Sequence, residues 1–330
     1  MSAAAPRPNL LVDIGGTNAR FAPVAHDGGV GEPTVLKTAD FASFESALEH
    51  FLTLGPAVSG ELHAMAVAAA GPVLDDRIEL TNCSWSLELD RLRALTATGA
   101  ALLINDFEAI AWALPALGRA DLRVAGGAAE LPRMHDNARF AVVGPGTGLG
   151  VGAFVPDARA GHVAIAAEGG HVNLAALDDR EWALLSCIKK RLGHVSTENA
   201  LSGPGLENIY RALGELEPDD APEGPGAEDI ARRAHSRGCT RSAAALRQFT
   251  AWLGDCAGDA ALTYGALDGV FIAGGIVPSW GEAFDDALFR ERFECKGRMQ
   301  AYMQRIPTWI ITEPHPGLTG LLGALRARGL

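Results

Sequence analysis

One strand–turn–strand phrase occurs twice in this chain, and that repetition constrains the fold more than any other feature. Residues 9–14 read as a strand ending in Asp13, followed by the turn Gly15-Gly16-Thr17-Asn18 and a second strand over 19–25. Residues 140–144, the turn Pro145-Gly146-Thr147-Gly148 and a strand over 149–155 repeat the form. A third strand follows in each half, at 33–38 and at 161–167. A purely parallel array does not open with three consecutive strands, so a mixed sheet is expected in each half of an α/β protein. The length of 330 residues agrees with about two domains.

Between and after these strands the apolar spacing predicts helices. Phe44, Ala47, Leu48, Phe51 and Leu52 share one face of a helix over 43–54. A strand over 62–70 ends in a Gly71-Pro72 turn, and a polar loop, Thr81 to Trp85, precedes a helix over 88–97. Later helices are expected at 178–192, 204–213 and 240–264. A strand over 269–273 then runs into Gly274-Gly275 and a helix from about 279. A strand over 308–312 and a final helix over 316–328 close the chain. The segment Gly214 to Asp229 is acidic and rich in Pro and Gly, and reads as a solvated loop.

Residues 101–115 bring the two periodicities together. Ala101 to Ile104 is a short apolar run of the kind a buried strand needs. Phe107, Ile110, Ala111 and Leu114 then recur at helical spacing until Pro115 stops them. Asn105 and Asp106 sit at the seam, where open α/β sheets bind ligands. A carboxylate there can take a proton from a substrate hydroxyl. Taken alone, the segment reads more simply as a helix cap.

Composition excludes several classes of protein. With 28 basic and 40 acidic residues the net charge is −12, and no Lys/Arg-rich run is present, so neither nucleic acid nor an anionic membrane is an expected partner. The five cysteines are scattered without a Cys-x-x-Cys pair and are expected to be reduced thiols. The first residues lack the pattern of a signal peptide, and no unbroken apolar stretch of roughly 18 residues occurs, so a cytoplasmic protein is expected.

Glycine allows positive φ and lets backbone N–H groups approach phosphate oxygens, and Thr17 and Thr147 add hydroxyl donors. Neither turn is a Walker A loop or a dinucleotide fingerprint, since no Gly-Lys-Ser/Thr follows and residue 149 is Leu. The plainer alternative is a pair of tight hairpins. Asp13 at the mouth of such a site suits Mg²⁺ held through water, because magnesium takes few protein carboxylates; a turn-stabilising Asp is the alternative. Gly274-Gly275 suits either a flat adenine–ribose unit on bare backbone or a close helix–strand contact.

Ionisable groups gather in Glu168-Gly169-Gly170-His171 and in His194 to Glu198. Fixed donors and acceptors of this kind suit a hydroxyl-rich substrate. Zinc is the competing chemistry, but no His-Glu-x-x-His is present and the spacing fits no standard zinc set. His194 reads as a surface or satisfied core histidine.

Together these pieces resemble the bacterial glucokinase family, the ATP-dependent hexose kinases of the actin/hexokinase-like fold. The resemblance rests on DIGGTNAR from Asp13, Thr81 to Trp85, INDF from Ile104, GPGTGLG from Gly144, EGGHV from Glu168, GHVSTE from Gly193, LSGPGL from Leu201 and GVFIAGGIVP from Gly269. They occur in the family's order from about residue 9 to 328. The resemblance implies a two-lobed fold with a cleft: a small domain over 1–115, onto which helix 316–330 packs, and a large one over 116–315. It implies Asp106 as general base on the sugar's 6-hydroxyl. Asn105, Glu168, His171 and Glu198 become its hydrogen-bonding partners. Val12, Asp13, Ile14, Gly15, Gly16 and Thr17 form the ATP phosphate loop, faced by Gly146, Thr147 and Gly148, with Gly274 and Gly275 at the nucleoside. ATP, Mg²⁺ and glucose are the implied ligands, and relatives imply a homodimer. Val12 stands where some relatives carry Gly. The zinc motif and the N-terminal helix-turn-helix of the related repressor/kinase family are both missing, which argues against a sugar-sensing repressor.

Overall fold

Alternation along the central strands builds the first sheet. A computed structural model describes residues 8–54, 62–80, 83–127, 130–236 and 238–330 of the chain. In β1 (Leu10–Ile14), Leu10, Val12 and Ile14 enter one core cluster and Leu11 the opposite one. In β4 (Leu62–Ala69), Met65, Val67 and Ala69 share the first cluster while Ala66 and Ala68 join the second. A sheet buried on both faces needs near-continuous apolar runs in its central strands, and these strands have them apart from Asp13 and His63. With β2 (Asn18–Pro23), β3 (Thr34–Lys37) and β7 (Thr96–Asn105) the sheet runs β3-β2-β1-β4-β7. β1 is antiparallel to β2 and parallel to β4, and β4 is parallel to β7.

Each face of this sheet is covered by helix. Helix α1 (Phe44–Thr53) starts at a reciprocal Ser43/Ser46 cap and packs Phe44 and Phe51 against Phe21. On the other face lie α3 (Asp106–Ala113) and α11 (Pro316–Ala327), which bury Leu318, Leu321 and Leu325 against the alanines of β4. Those alanines are small because α3 and α11 lie close. A Cβ on Gly320 would stand 2.6 Å from the Ala109 carbonyl carbon and 3.0 Å from the Ala113 nitrogen, so the two helices meet backbone to backbone.

The second sheet repeats the plan. Its order is β11-β10-β9-β12-β13-β8, from β8 (Leu122–Val124), β9 (Phe140–Pro145), β10 (Leu149–Asp157), β11 (Gly161–Ala167), β12 (Gly269–Ile272) and β13 (Thr308–Ile311). β9 is antiparallel to β10 and parallel to β12, as β1 is to β2 and β4. Its core is built on α4 (Asp179–Leu192), α5 (Gly203–Leu216) and the 25-residue α7 (Thr240–Tyr264), with Phe249, Trp252 and Leu253 at its centre. Asp178 and Ser202 cap α4 and α5, and Gly265 in the left-handed region ends α7. The chain divides into two units, residues 1–117, 157–166 and 314–330 in one, 118–156 and 167–313 in the other.

Several elements differ from the sequence expectation. β7 begins at Thr96, five residues before the apolar run, because its pairing with β4 continues past the buried part. A short hairpin, β5 (Arg77–Glu79) with β6 (Ser86–Glu88), carries too few residues to show a period. Thr81 and Asn82 of the expected polar loop lie outside the described residues. The expected loop 214–229 is shorter at both ends: α5 runs to Leu216, and α6 (Ala227–His235) begins inside it, held by fully buried Ile230. The helix expected from about 279 is two. Gly281 at φ +53° ends α8 (Ile276–Trp280), and α9 (Asp286–Glu294) restarts behind the Asp285 cap.

Among the described residues, no helix is long and apolar enough to cross a membrane. Where α4, α7 and α9 meet, Arg292 donates to Glu181 Oε1 at 2.7 Å and pairs with Asp255, and Gln248 donates to Glu181 at 3.0 Å. Burial would raise the Glu181 carboxyl, but the hydrogen bonds from Arg292, the Leu177 N–H and Gln248 hold it below its ordinary value.

Candidate functional site

In the first unit the site begins where β1 and β7 end. Val12 and Ile14 are fully buried by their side chains, so these two present only backbone, and the valine at position 12 is a core residue. The turn after them is fastened from one side. Gly15 donates to Asn18 O at 2.9 Å, Thr38 N–H to Thr17 O at 3.0 Å, and Thr38 Oγ1 to Gly16 O at 3.3 Å. With those carbonyls engaged, what the turn offers a ligand is N–H, from Gly16 and Thr17, together with the exposed Thr17 hydroxyl.

Asp13 lies beside this turn and is mostly covered. Its Oδ2 is 3.4 Å from Arg20 Nη1, and α11 begins against it: a Cβ on Gly317 would stand 3.0 Å from the Asp13 Cγ. Burial pushes the Asp13 carboxyl up, against the opposing pull of Arg20 and His315. Among the described residues no group of three or more His, Cys, Asp or Glu converges on a metal position. A magnesium ion fits Asp13 only through water, with its remaining ligands drawn from phosphate oxygens.

Asn105 and Asp106 divide the seam between them. Asn105 is buried and is the cap of α3: its Oδ1 accepts from the N–H groups of Phe107, at 2.8 Å, and Glu108, at 3.2 Å. Its Nδ2 donates to Gly71 O at 3.0 Å. The oxygen is therefore committed and one amide hydrogen remains, so toward a substrate Asn105 can only donate. Asp106, half-buried at the first position of the helix, accepts from the Phe107 N–H at 3.0 Å through Oδ1. The simple cap reading holds for Asn105, and Asp106 shares the Phe107 N–H with it.

The second unit brings its expected residues together around β9 and β10. Thr147 is exposed at the tip of the 146–148 turn, as Thr17 is at the equivalent tip. Gly146 donates to Gly148 O at 2.8 Å and accepts from Gly203 N–H, at the start of α5, at 2.9 Å. Glu198 Oε2 accepts from the Leu149 N–H at 2.8 Å, and the Glu198 N–H donates to Gly170 O at 2.8 Å. Glu168 and His171 are exposed, with His171 Nε2 3.8 Å from Glu168 Oε2. Gly169 and Gly170 let this loop lie on β10, since a Cβ on Gly169 would stand 2.8 Å from that of Val151. His194 is exposed and paired at 2.7 Å with Asn173 Oδ1.

The glycines expected at a nucleotide do two jobs. Gly274, at φ +78°, packs against the backbone of Gly144 and Pro145, the close helix–strand contact. At Gly146 and Gly275 a Cβ would meet nothing within 4 Å, so ligand can approach their backbone. A cavity of about 530 Å³ opens between α6 and the C-terminal end of α8, lined by Glu228, Arg232, His235, Ser279 and Trp280. No sequence motif pointed to these α6 residues. Their one available signal was the apolar set Ile230, Ala231 and Ala234 behind Gly226.

The two mixed sheets and their glycine turns define the class of the protein: it has the fold of the actin-like sugar kinases. The glucokinase of an Antarctic psychrotroph matches it with a TM-score of 0.84 and 34% identity, over 98% of this chain and 99% of that one. The Glucokinase family model matches residues 10–328, and the chain belongs to that family. The glucokinase of Chromobacterium violaceum is 42% identical over 96% of this chain and 89% of its own length. The bifunctional protein glk of Paraburkholderia xenovorans is 38% identical, and this chain spans about half of it, 49%.

Proposed function

We propose that this protein transfers the γ-phosphoryl group of ATP to the 6-hydroxyl of glucose, giving glucose 6-phosphate. Asp106 is the observation that carries the reading: a half-buried acid at the head of α3, directly after the Asn105 cap, in a chain matched by the Glucokinase family over 10–328. Asp106 takes the hydroxyl proton. Asn105, restricted to donating, binds a neighbouring hydroxyl as its acceptor. Glu168, His171 and Glu198 hold the remaining hydroxyls, and a sugar that lacks a matching hydroxyl leaves one of these groups unpaired.

Phosphoryl transfer passes through a loose transition state, so positioning and charge neutralisation matter more than a strong base. The N–H groups of Gly16 and Thr17 and those of Thr147 and Gly148, with both threonine hydroxyls, meet the phosphates. Asp13 holds a hydrated Mg²⁺, which supplies positive charge to the phosphate oxygens. The recess between α6 and α8 is the place for the nucleoside, with Arg232, His235 and Ser279 as its polar contacts and Trp280 beside them. Residues 1–115 with 316–330 serve as the smaller domain and 116–315 as the larger. A cytoplasmic homodimer completes the reading, with no part for a membrane or nucleic acid.

The test is a panel of acceptors (glucose, mannose, fructose, N-acetylated hexosamines and acetate) offered with ATP, ADP or polyphosphate, with phosphorylated product measured directly. Glucose with ATP is expected to give the highest kcat/KM. Turnover of another hexose in preference would move the assignment to a different sugar kinase. Sugar binding without turnover would make the chain a sugar-binding regulator.

A further inference from the structure

We propose that Glu198 couples the sugar subsite to the donor turn, so that filling one changes affinity at the other; the proposal rests on the reading of the protein as a hexose kinase. Glu198 Oε2 accepts from the N–H of Leu149, the residue directly after the Gly146–Gly148 turn, at 2.8 Å. A Cβ on Gly148 would stand 2.5 Å from that same oxygen and 3.3 Å from the carboxyl carbon. Gly146, two residues earlier, is open on its side-chain side. One glycine of the turn is thus bare because Glu198 lies against it, and the other leaves space.

The backbone of Glu198 is tied in two further directions. Its N–H donates to Gly170 O in the loop that carries Glu168 and His171, and its carbonyl accepts from Ser202 Oγ, the cap of α5, at 2.8 Å. One residue later Gly203 donates back to Gly146 O at 2.9 Å. Sugar loop, carboxylate, donor turn and helix start form a closed ring of hydrogen bonds inside the second unit.

A carboxylate shares one charge between two oxygens. With Oε2 on the Leu149 N–H, Oε1 is the oxygen left for a sugar hydroxyl. A hydroxyl donating to Oε1 holds the carboxylate in the orientation in which Oε2 accepts from Leu149, and so orders the turn that meets phosphate. A phosphate that orders the turn fixes Leu149 and so pre-positions Glu198 for sugar. Linkage makes the two effects equal, and such couplings are commonly about 5- to 150-fold.

The test compares two alanine variants within one turn. Glucose affinity is measured by calorimetry with and without a non-hydrolysable ATP analogue, in wild type, Gly148→Ala and Gly146→Ala. At Gly148 the new methyl meets the far end of a side chain able to swing aside, so the protein folds and the carboxylate moves. Gly148→Ala is expected to weaken glucose binding by roughly tenfold and to abolish the effect of the nucleotide on it. Gly146→Ala is expected to change nucleotide affinity while glucose affinity in the absence of nucleotide stays within about twofold of wild type. In glucose-free protein, Glu198→Ala is expected to shift nucleotide affinity even though Glu198 meets no phosphate. Coupling is overturned if the nucleotide leaves wild-type glucose affinity unchanged, or if Gly148→Ala behaves as Gly146→Ala does. A wild-type protein that binds no glucose defeats the hexose-kinase reading itself, a separate result.

Discussion

Replacing Gly320 with alanine tests whether the C-terminal helix positions Asp106. The new Cβ would overlap the Ala109 carbonyl oxygen and stand 2.6 Å from the Ala109 carbonyl carbon and 3.0 Å from the Ala113 nitrogen, all backbone atoms of α3. Ordinary contact lies at about 3.5–4.0 Å, so α11 and α3 must separate by roughly 1–2 Å. Overpacking of this kind costs about 1–3 kcal/mol, and the better helix propensity of alanine returns about 1 kcal/mol, leaving a net loss of roughly 0–2 kcal/mol. Ala109 is three residues from Asp106 in a helix of 8 residues, too short to absorb the shift by bending. A misplacement of about 1 Å at a reacting group costs up to 10²-fold. Gly320→Ala is therefore expected to lose roughly ten- to a hundredfold in kcat per folded molecule, with ATP KM little changed.

The comparison variant is Leu325→Ala, in the same helix and the same core, where the change removes side-chain atoms and adds none. Truncating a buried leucine costs about 2–5 kcal/mol, so it is the less stable of the two. Stability is read by urea unfolding and turnover by initial rates corrected for the folded fraction. If helix position sets the rate, Gly320→Ala is the slower enzyme although Leu325→Ala is the weaker fold. Equal turnover in both variants, or loss of turnover that merely follows stability, would refute the reasoning.

Asp106→Asn removes the base but keeps the size of the side chain; it is expected to bind glucose by calorimetry and to lose about 10²- to 10⁴-fold in kcat. Unchanged kcat would dismiss Asp106 as the base. Asp13→Asn bears on the pH dependence of stability. The folded Asp13 holds its proton more tightly than its ordinary value of 3.8 implies, so ionising it disfavours the fold. That penalty is present above the raised folded value and gone below about 3.8. The Asn variant should therefore melt above wild type at pH 7, the gap should close on acidification, and the Mg²⁺ requirement for turnover should rise; a gap that widens in acid contradicts this. Arg292→Met strands Glu181 and Asp255 in the core and is expected to cost about 3–5 kcal/mol at neutral pH. Urea midpoints at pH 7 and pH 5 check it, with a smaller loss in acid as those carboxyls take up protons.

The fold was legible because its period is local. Leu10, Val12 and Ile14 against Leu11, or Met65 and Val67 against Ala66 and Ala68, state the two faces of a strand within five residues. The third strand in each half declared the mixed sheet. What stayed hidden depends on partners distant in sequence. β5, β6 and β8 are three residues each and exist through their pairing. Helix α6 rests on a single fully buried side chain, Ile230, and its polar face lines the recess between α6 and α8, which no motif pointed to.

At the site, residue types were readable and division of labour was not. Asn105 and Asp106 are adjacent letters, each able to cap a helix or meet a substrate, and only the geometry gives the cap to Asn105. Gly146 and Gly148 look interchangeable in the sequence. Yet one is open and the other is packed against a glutamate far along the chain, so a shared turn contains one position free for a ligand and one fixed by packing. The same holds for Gly274 and Gly275, where close packing occupies the first and leaves the second for a ligand. A glycine motif therefore mixes two constraints that substitution can separate: alanine at Gly146 or Gly275 tests approach of a ligand, and alanine at Gly148 or Gly274 tests the packing that shapes its site.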